Sequence, residues 1–209
     1  MVDAQEWLLD FLRFYRGLGF FEEYLQLSDE DLADEIMRTN ALQGLDLNQE
    51  ISREDYLILN YDRKRVWGVA FDSFDSFNFH RAKDIGSGGQ LHEEIVNSWA
   101  KISRGLFSPE GVKATWQSAE EHINIEFMLA NTSYYLELEP DLIMPMPGDE
   151  AYYFYEISTL AKLVKSLEPC MKESDRYFTI WDLGCVAMVM LLTPQEKNMI
   201  RDIRSANFL

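Results

Sequence analysis

The spacing of apolar residues predicts helices in the first third of the chain. Apolar side chains recur on one helix face over residues 4–15, and two glycines end the pattern, Gly17 and Gly19. Ser28 then precedes three acidic residues, and a serine followed by a carboxylate-rich turn is typical of a helix N-terminus. The buried stripe predicted for this second helix is Leu32, Ala33, Ile36 and Met37.

Strand-like runs follow in the rest of the chain. Runs rich in β-branched and aromatic residues predict strands at residues 66–71, 112–116, 123–129, 134–139, 176–181 and 185–192. The third and fourth of these form a predicted hairpin across residues 130–133. The last two form a second predicted pair, and residues 185–192 are apolar on both faces, as expected of a central strand covered by helices.

Three further helices are predicted between and after these strands. The first follows the glycine-rich residues 86–89, and its predicted inner face is Leu91, Ile95, Trp99 and Ile102. The second follows a proline-rich stretch, and its predicted inner face is Tyr153, Ile157, Leu160, Ala161, Val164 and Leu167. The third begins at Thr193, with Pro194 in the first turn and Glu196 placed for a capping box.

These elements together predict an α+β fold. Residues 1–60 form a helical N-terminal part, and residues 61–209 form an antiparallel or mixed sheet with helices packed on it. No stretch within residues 40–60 has the composition of a linker, so we predict a single domain over residues 1–209.

The charge of the chain excludes several classes of partner. Its 36 Asp and Glu residues against 19 Lys and Arg residues give a net charge of −17, which would be repelled by nucleic acid and by anionic membranes. The longest nearly apolar run, residues 183–192, is half the roughly 20 residues needed to span a bilayer. The first residues do not resemble a signal peptide, and the two cysteines are too few for a disulfide framework, so we predict a cytoplasmic protein.

The acidic residues are concentrated in two parts of the chain. Residues 1–60 hold 14 acidic and 4 basic residues, residues 61–120 hold 8 of each, and residues 121–209 hold 14 and 7. No basic residue occurs between Arg16 and Arg38 or between Lys113 and Lys162. A field of one sign accelerates the encounter with a partner of opposite charge, although acidity can also serve solubility alone.

No residue pattern indicates catalysis or a bound cofactor. The histidines His80, His92 and His122 are scattered and lack the spacing of a zinc motif, and the glycines of residues 86–89 lack the Lys-Ser or Lys-Thr of a phosphate-binding loop. Glu137 and Glu139 would share a strand face, with Glu126 across the hairpin, which fits either a divalent-cation site or a solvated sheet face. We therefore predict no catalytic residue, no metal ligand and no cofactor.

The sequence leads to a hypothesis of protein binding. We predict a cytoplasmic protein-binding module for a basic protein partner, in its most concrete form a bacterial toxin-neutralising inhibitor of the immunity type. Acidic and aromatic side chains are the predicted contacts: Asp31, Asp34, Glu35, Glu137, Glu139, Asp149, Glu150, Tyr152 and Tyr155. The alternative is an enzyme or small-ligand-binding protein whose pocket gathers His122 or His80 with two carboxylates. A homo-oligomer closed by aromatic side chains is a third hypothesis.

Overall fold

The structure is a computed structural model that describes residues 4–39, 53–62, 64–70, 80–81, 89–117, 122–139, 157–171, 174–183, 186–206 and 208–209. Its helices are α1 (Ala4–Gly17), α2 (Asp29–Arg38), α3 (Arg53–Tyr61), α4 (Gly89–Ile102), α5 (Ile157–Leu167) and α6 (Pro194–Arg204). Its strands are β1 (Val66–Ala70), β2 (His80–Arg81), β3 (Glu110–Gln117), β4 (His122–Leu129), β5 (Thr132–Leu138), β6 (Tyr177–Asp182) and β7 (Val186–Leu192). The predicted α+β class is confirmed.

The chain divides into two compact units, Met1–Arg65 and Val66–Leu209. The described elements of the first unit are helices, and the second unit contains every described strand. That residues 1–209 form one domain stays a prediction. None of the helices in the described ranges combines the length and the apolar character that crossing a bilayer would need.

The N-terminal unit is built on the packing of α1 against α2. Of the α1 side chains that carry the predicted periodicity, Leu8, Phe11, Leu12 and Tyr15 are fully buried, whereas Trp7 is half-buried. On α2 the predicted stripe is confirmed for Leu32, Ala33 and Ile36. It is wrong for Met37, which is 41% exposed. Successive helical residues point 100° apart, which places Met37 about 90° from the centre of the stripe that the other three form.

The strands of the second unit form two sheets rather than one. Sheet A has the order β2-β1-β7-β6, in which only the short β1–β2 pair is parallel among the described strands. Sheet B is antiparallel, with the order β3-β4-β5. Strand β7 lies inside sheet A and is buried along its whole length, so the prediction of a central strand is confirmed. The β1–β2 pairing was not predicted.

One core joins the two sheets. Helices α4 and α5 each contact strands of both sheets. Trp99 of α4 lies 6.1 Å from Trp67 of β1 and 5.2 Å from Phe178 of β6, measured between ring centroids. Phe107 then lies 5.5 Å from Phe178 and 5.8 Å from Phe127 of β4. This continuous series of aromatic contacts explains why the sheets belong to a single compact unit.

The predicted hairpin is confirmed, with a tighter turn than expected. Ala130 and Asn131 both have positive φ, 49° and 64°, as in the two-residue turn whose twist suits antiparallel strands. Strand β5 therefore begins at Thr132 instead of after residue 133. On β4 the inward side chains are Ile123, Ile125 and Phe127, and the outward ones include Glu126 and Met128.

Candidate functional site

Two of the acidic side chains predicted on α2 are hydrogen-bonded within their own unit. The Asp31 carboxylate completes the helix capping box, accepting hydrogen bonds from the Ser28 backbone N–H at 3.4 Å and from the Ser28 hydroxyl at 2.8 Å. The Asp34 carboxylate accepts a hydrogen bond from the side-chain amide of Gln5 at 3.3 Å. Asp31 therefore has a structural task in forming α2.

The remaining acidic residues of α2 lie beside arginines. The ion pairs are Glu35–Arg38 (2.7 Å), Asp29–Arg16 (2.6 Å) and Glu30–Arg13 (3.1 Å). Two of these arginines come from α1, and the spacing of charges along the sequence does not indicate their contacts with α2. Much of the negative charge on this helix is consequently offset within the unit, and a cationic partner would compete with bonds that already exist.

The outward face of sheet B brings together a different set of acidic residues. Glu126 of β4 lies directly opposite Tyr135 of β5, and Glu137 lies opposite Asn124, so the two glutamates are diagonal neighbours on one face. Both are exposed, and neither side chain forms an ion pair or hydrogen bond with another described residue. Glu139 is exposed just beyond the end of β5. The predicted proximity of Glu126 and Glu137 is confirmed.

Two large apolar side chains accompany these glutamates. Tyr135 is 56% exposed and Met128 is 45% exposed, both on the outward face of the hairpin. Neither residue is among the predicted contacts, in which the only aromatic side chains are Tyr152 and Tyr155. The alternation in the sequence does indicate Tyr135, because side chains two residues apart on a strand point to the same face and this places Tyr135 on the face of Glu137.

A depression of about 530 Å³ opens at the hairpin end of this face. Strand β3 has a bulge between Glu110 and Lys113, at Gly111 with φ of +63°, a backbone conformation that favours glycine. Lys113, Glu126 and Tyr135 stand in one row across the three strands. The described residues that line the depression are Glu110, Gly111, Lys113, Glu126, Phe127, Met128, Ser133, Tyr134 and Tyr135.

The β3 edge of sheet B is protected from strand addition. The backbone N–H of Ala114 donates a hydrogen bond to the Glu93 carboxylate of α4, with an N···O distance of 2.9 Å. A bulge and an occupied backbone donor both disfavour pairing with another strand. A partner of sheet B is thus better accommodated on the outward face than on this edge.

Four predicted contacts, Asp149, Glu150, Tyr152 and Tyr155, lie outside the described residues. Their role in binding stays a prediction.

No metal-binding cluster is found among the described residues. No group of three or more His, Cys, Asp or Glu side chains converges there in a way that could hold a metal ion. His92 and His122 are both buried, the first on α4 and the second at the start of β4. Cys170 is half-buried.

No known protein family, curated protein or solved structure matches the chain. The candidate site therefore rests on the geometry of sheet B alone.

One titratable group with a strongly shifted pKa lies in the N-terminal unit. Burial raises the pKa of Asp62 to about 6, while the backbone N–H of Phe21, which donates to its carboxylate at 2.6 Å, and the charge of Arg65 oppose that rise. Arg65 also lies over the Phe20 ring, 4.3 Å from its centroid. The cluster secures the segment after α1, so we assign Asp62 a structural role.

Proposed function

We propose that this protein is a protein-binding module that binds a basic partner on the outward face of sheet B. The observation that carries the proposal is the pair of exposed glutamates, Glu126 and Glu137, which form no ion pair with any described residue and lie beside Tyr135 and Met128. Aromatic side chains and methionine are enriched at protein interfaces, where they supply apolar contact area. The two carboxylates supply the charge that selects a cationic partner.

Electrostatics favours sheet B over α2 as the contact surface. Glu35 and its neighbours on α2 already lie beside arginines, so a new cation there would displace an existing one. Glu126 and Glu137 form no ion pair with a described residue that an approaching cation would have to break, although Lys113 lies opposite Glu126. The net charge of −17 adds a long-range attraction that raises the association rate with a positively charged protein.

The most specific form of this proposal is a toxin-neutralising inhibitor. Such a protein would cover a cationic surface of its target, and acidic and aromatic side chains suit that task. We propose a cytoplasmic location because two cysteines without a disulfide framework are typical of a reducing compartment.

The test compares two variants that lose the same amount of charge. Glu126→Gln/Glu137→Gln alters sheet B, and Asp34→Asn/Glu35→Gln alters α2, so both keep an equal net charge. Each immobilised protein is exposed to a lysate of its source cell at ~0.1 M and ~1 M salt, where the Debye length falls from ~10 Å to ~3 Å. The affinity of each retained basic protein is then measured after purification.

We expect a basic protein to bind the wild type and the α2 variant at low salt, with affinity about two- to thirtyfold weaker for the sheet B variant. Retention of no basic protein by the wild type at low salt would refute the proposal. Equal affinity for the wild type and the sheet B variant would refute sheet B as the contact surface.

A further inference from the structure

We propose that the depression at the hairpin end of sheet B is the anchor site for an arginine side chain of the partner. This inference rests on the proposed function and names the group that the surface recognises. The depression is open to solvent and combines carboxylates, an exposed aromatic ring and a methionine in one lining. An arginine offers the matching parts, a planar cation and an apolar stem.

The row of Lys113, Glu126 and Tyr135 across the three strands determines how the partner's arginine side chain would lie in the depression. Glu126 stands between Lys113 and Tyr135, and directly opposite residues on an antiparallel pair have Cβ atoms ~5 Å apart. A guanidinium placed on the exposed face of the Tyr135 ring therefore lies within reach of the Glu126 carboxylate. The methylene groups of the same side chain can cover Met128, the next outward-facing residue of β4 after Glu126.

Arginine fits this lining better than lysine does. A guanidinium is planar and weakly hydrated, so it stacks on an aromatic ring and binds a carboxylate with two N–H donors at once. An ammonium group is compact and strongly hydrated, so it forms the ion pair but gains less from the ring. A cation–π contact at an exposed site corresponds to about a two- to fivefold gain in affinity.

Lys113 limits the affinity of this site. It lies directly opposite Glu126 without forming an ion pair, and it adds a positive charge beside the place where the guanidinium binds. Glu110, on the other side of the bulge, adds a second carboxylate to the lining. Removing the lysine charge should therefore strengthen the binding of any cationic side chain, by about two- to fivefold for an exposed charge.

The test uses two soluble peptides of equal length and charge, one alternating glycine with arginine and the other alternating glycine with lysine. Each is titrated into the full-length protein and followed by backbone amide NMR shifts. The variants are Tyr135→Leu, Glu126→Gln and Lys113→Gln, all at exposed positions, and their amide spectra report whether each keeps the wild-type fold. We expect shifts around the depression and about two- to fivefold tighter binding of the arginine peptide.

The variants separate the two contributions. Tyr135→Leu should abolish the preference for arginine while retaining the binding of both peptides, Glu126→Gln should weaken both, and Lys113→Gln should strengthen both. Equal binding of the two peptides on sheet B would refute the arginine anchor and leave the proposed function standing. Shifts that map outside sheet B, or no binding by either peptide, would refute the anchor and also count against sheet B as a surface for basic partners.

Discussion

The buried carboxyl of Asp62 leads to a quantitative prediction for the stability of the protein. Asp62 is 1% exposed, and its Oδ2 atom accepts a hydrogen bond from the Phe21 backbone. Replacing it in the variant Asp62→Asn retains a carbonyl oxygen as acceptor for this N–H and removes the ionisable group. The variant therefore resembles the wild type with a protonated Asp62 at every pH.

The sign and size of the effect follow from the pKa of Asp62. Its pKa is about 6 in the folded protein against the reference value of 3.8, so between these values the folded state binds more protons than the unfolded state. The free energy of unfolding then falls as the pH rises through this window. A difference of about two pKa units corresponds to a loss of about 3 kcal/mol from this group above pH 6.

The assay is urea unfolding followed by circular dichroism at about pH 4 and at about pH 7. The other carboxyl groups contribute to the pH dependence of both proteins, so the informative quantity is the difference between variant and wild type. Because an unfolded Asp62 is already partly ionised at about pH 4, we expect that difference to shift by about 2.5 kcal/mol in favour of Asp62→Asn between the two pH values. Parallel pH profiles for Asp62→Asn and the wild type would refute the reasoning.

Three further substitutions test how local elements and the core contribute to stability. Thr193→Ala should lower the free energy of unfolding by about 1 kcal/mol because the Thr193 hydroxyl accepts a hydrogen bond from the Glu196 N–H at 3.1 Å. Thr193→Ser keeps the hydroxyl and should retain most of this stability. An equal loss in both variants would contradict a capping role for the hydroxyl. Ala130→Asn should raise the free energy of unfolding by about 0.5–1 kcal/mol because asparagine tolerates positive φ better than alanine. A lower free energy of unfolding for this variant, measured with urea, would show that the turn is not strained. Trp99→Ala should cost about 3–5 kcal/mol, and Trp99→Phe clearly less, by thermal unfolding; a loss under 1 kcal/mol would contradict the central place of Trp99 in the core.

The local elements were predictable because their signals lie within a few residues of each other. The cap of α2 at Ser28 and that of α6 at Thr193 both occur as the sequence predicts. So does the β4–β5 hairpin, whose alternating pattern places Glu126 and Glu137 on one face. Helix capping, helical periodicity and strand alternation depend on short-range geometry, and so they can be recognised without knowledge of the fold.

Tertiary structure decided which of the acidic residues are paired. Arg16 reaches Asp29 from a different helix, and nothing in the spacing of charges along the chain indicates this contact. The bulge at Gly111 and the register that sets Glu126 opposite Tyr135 likewise depend on how the strands pack on the core. Counting charges along the sequence does not distinguish the acidic residues of α2 from those of sheet B. Only the packing of distant segments brings Arg13 and Arg16 to α2. The glutamates of sheet B remain exposed and form no ion pair with a described residue, and this difference makes sheet B the better candidate for a docking surface.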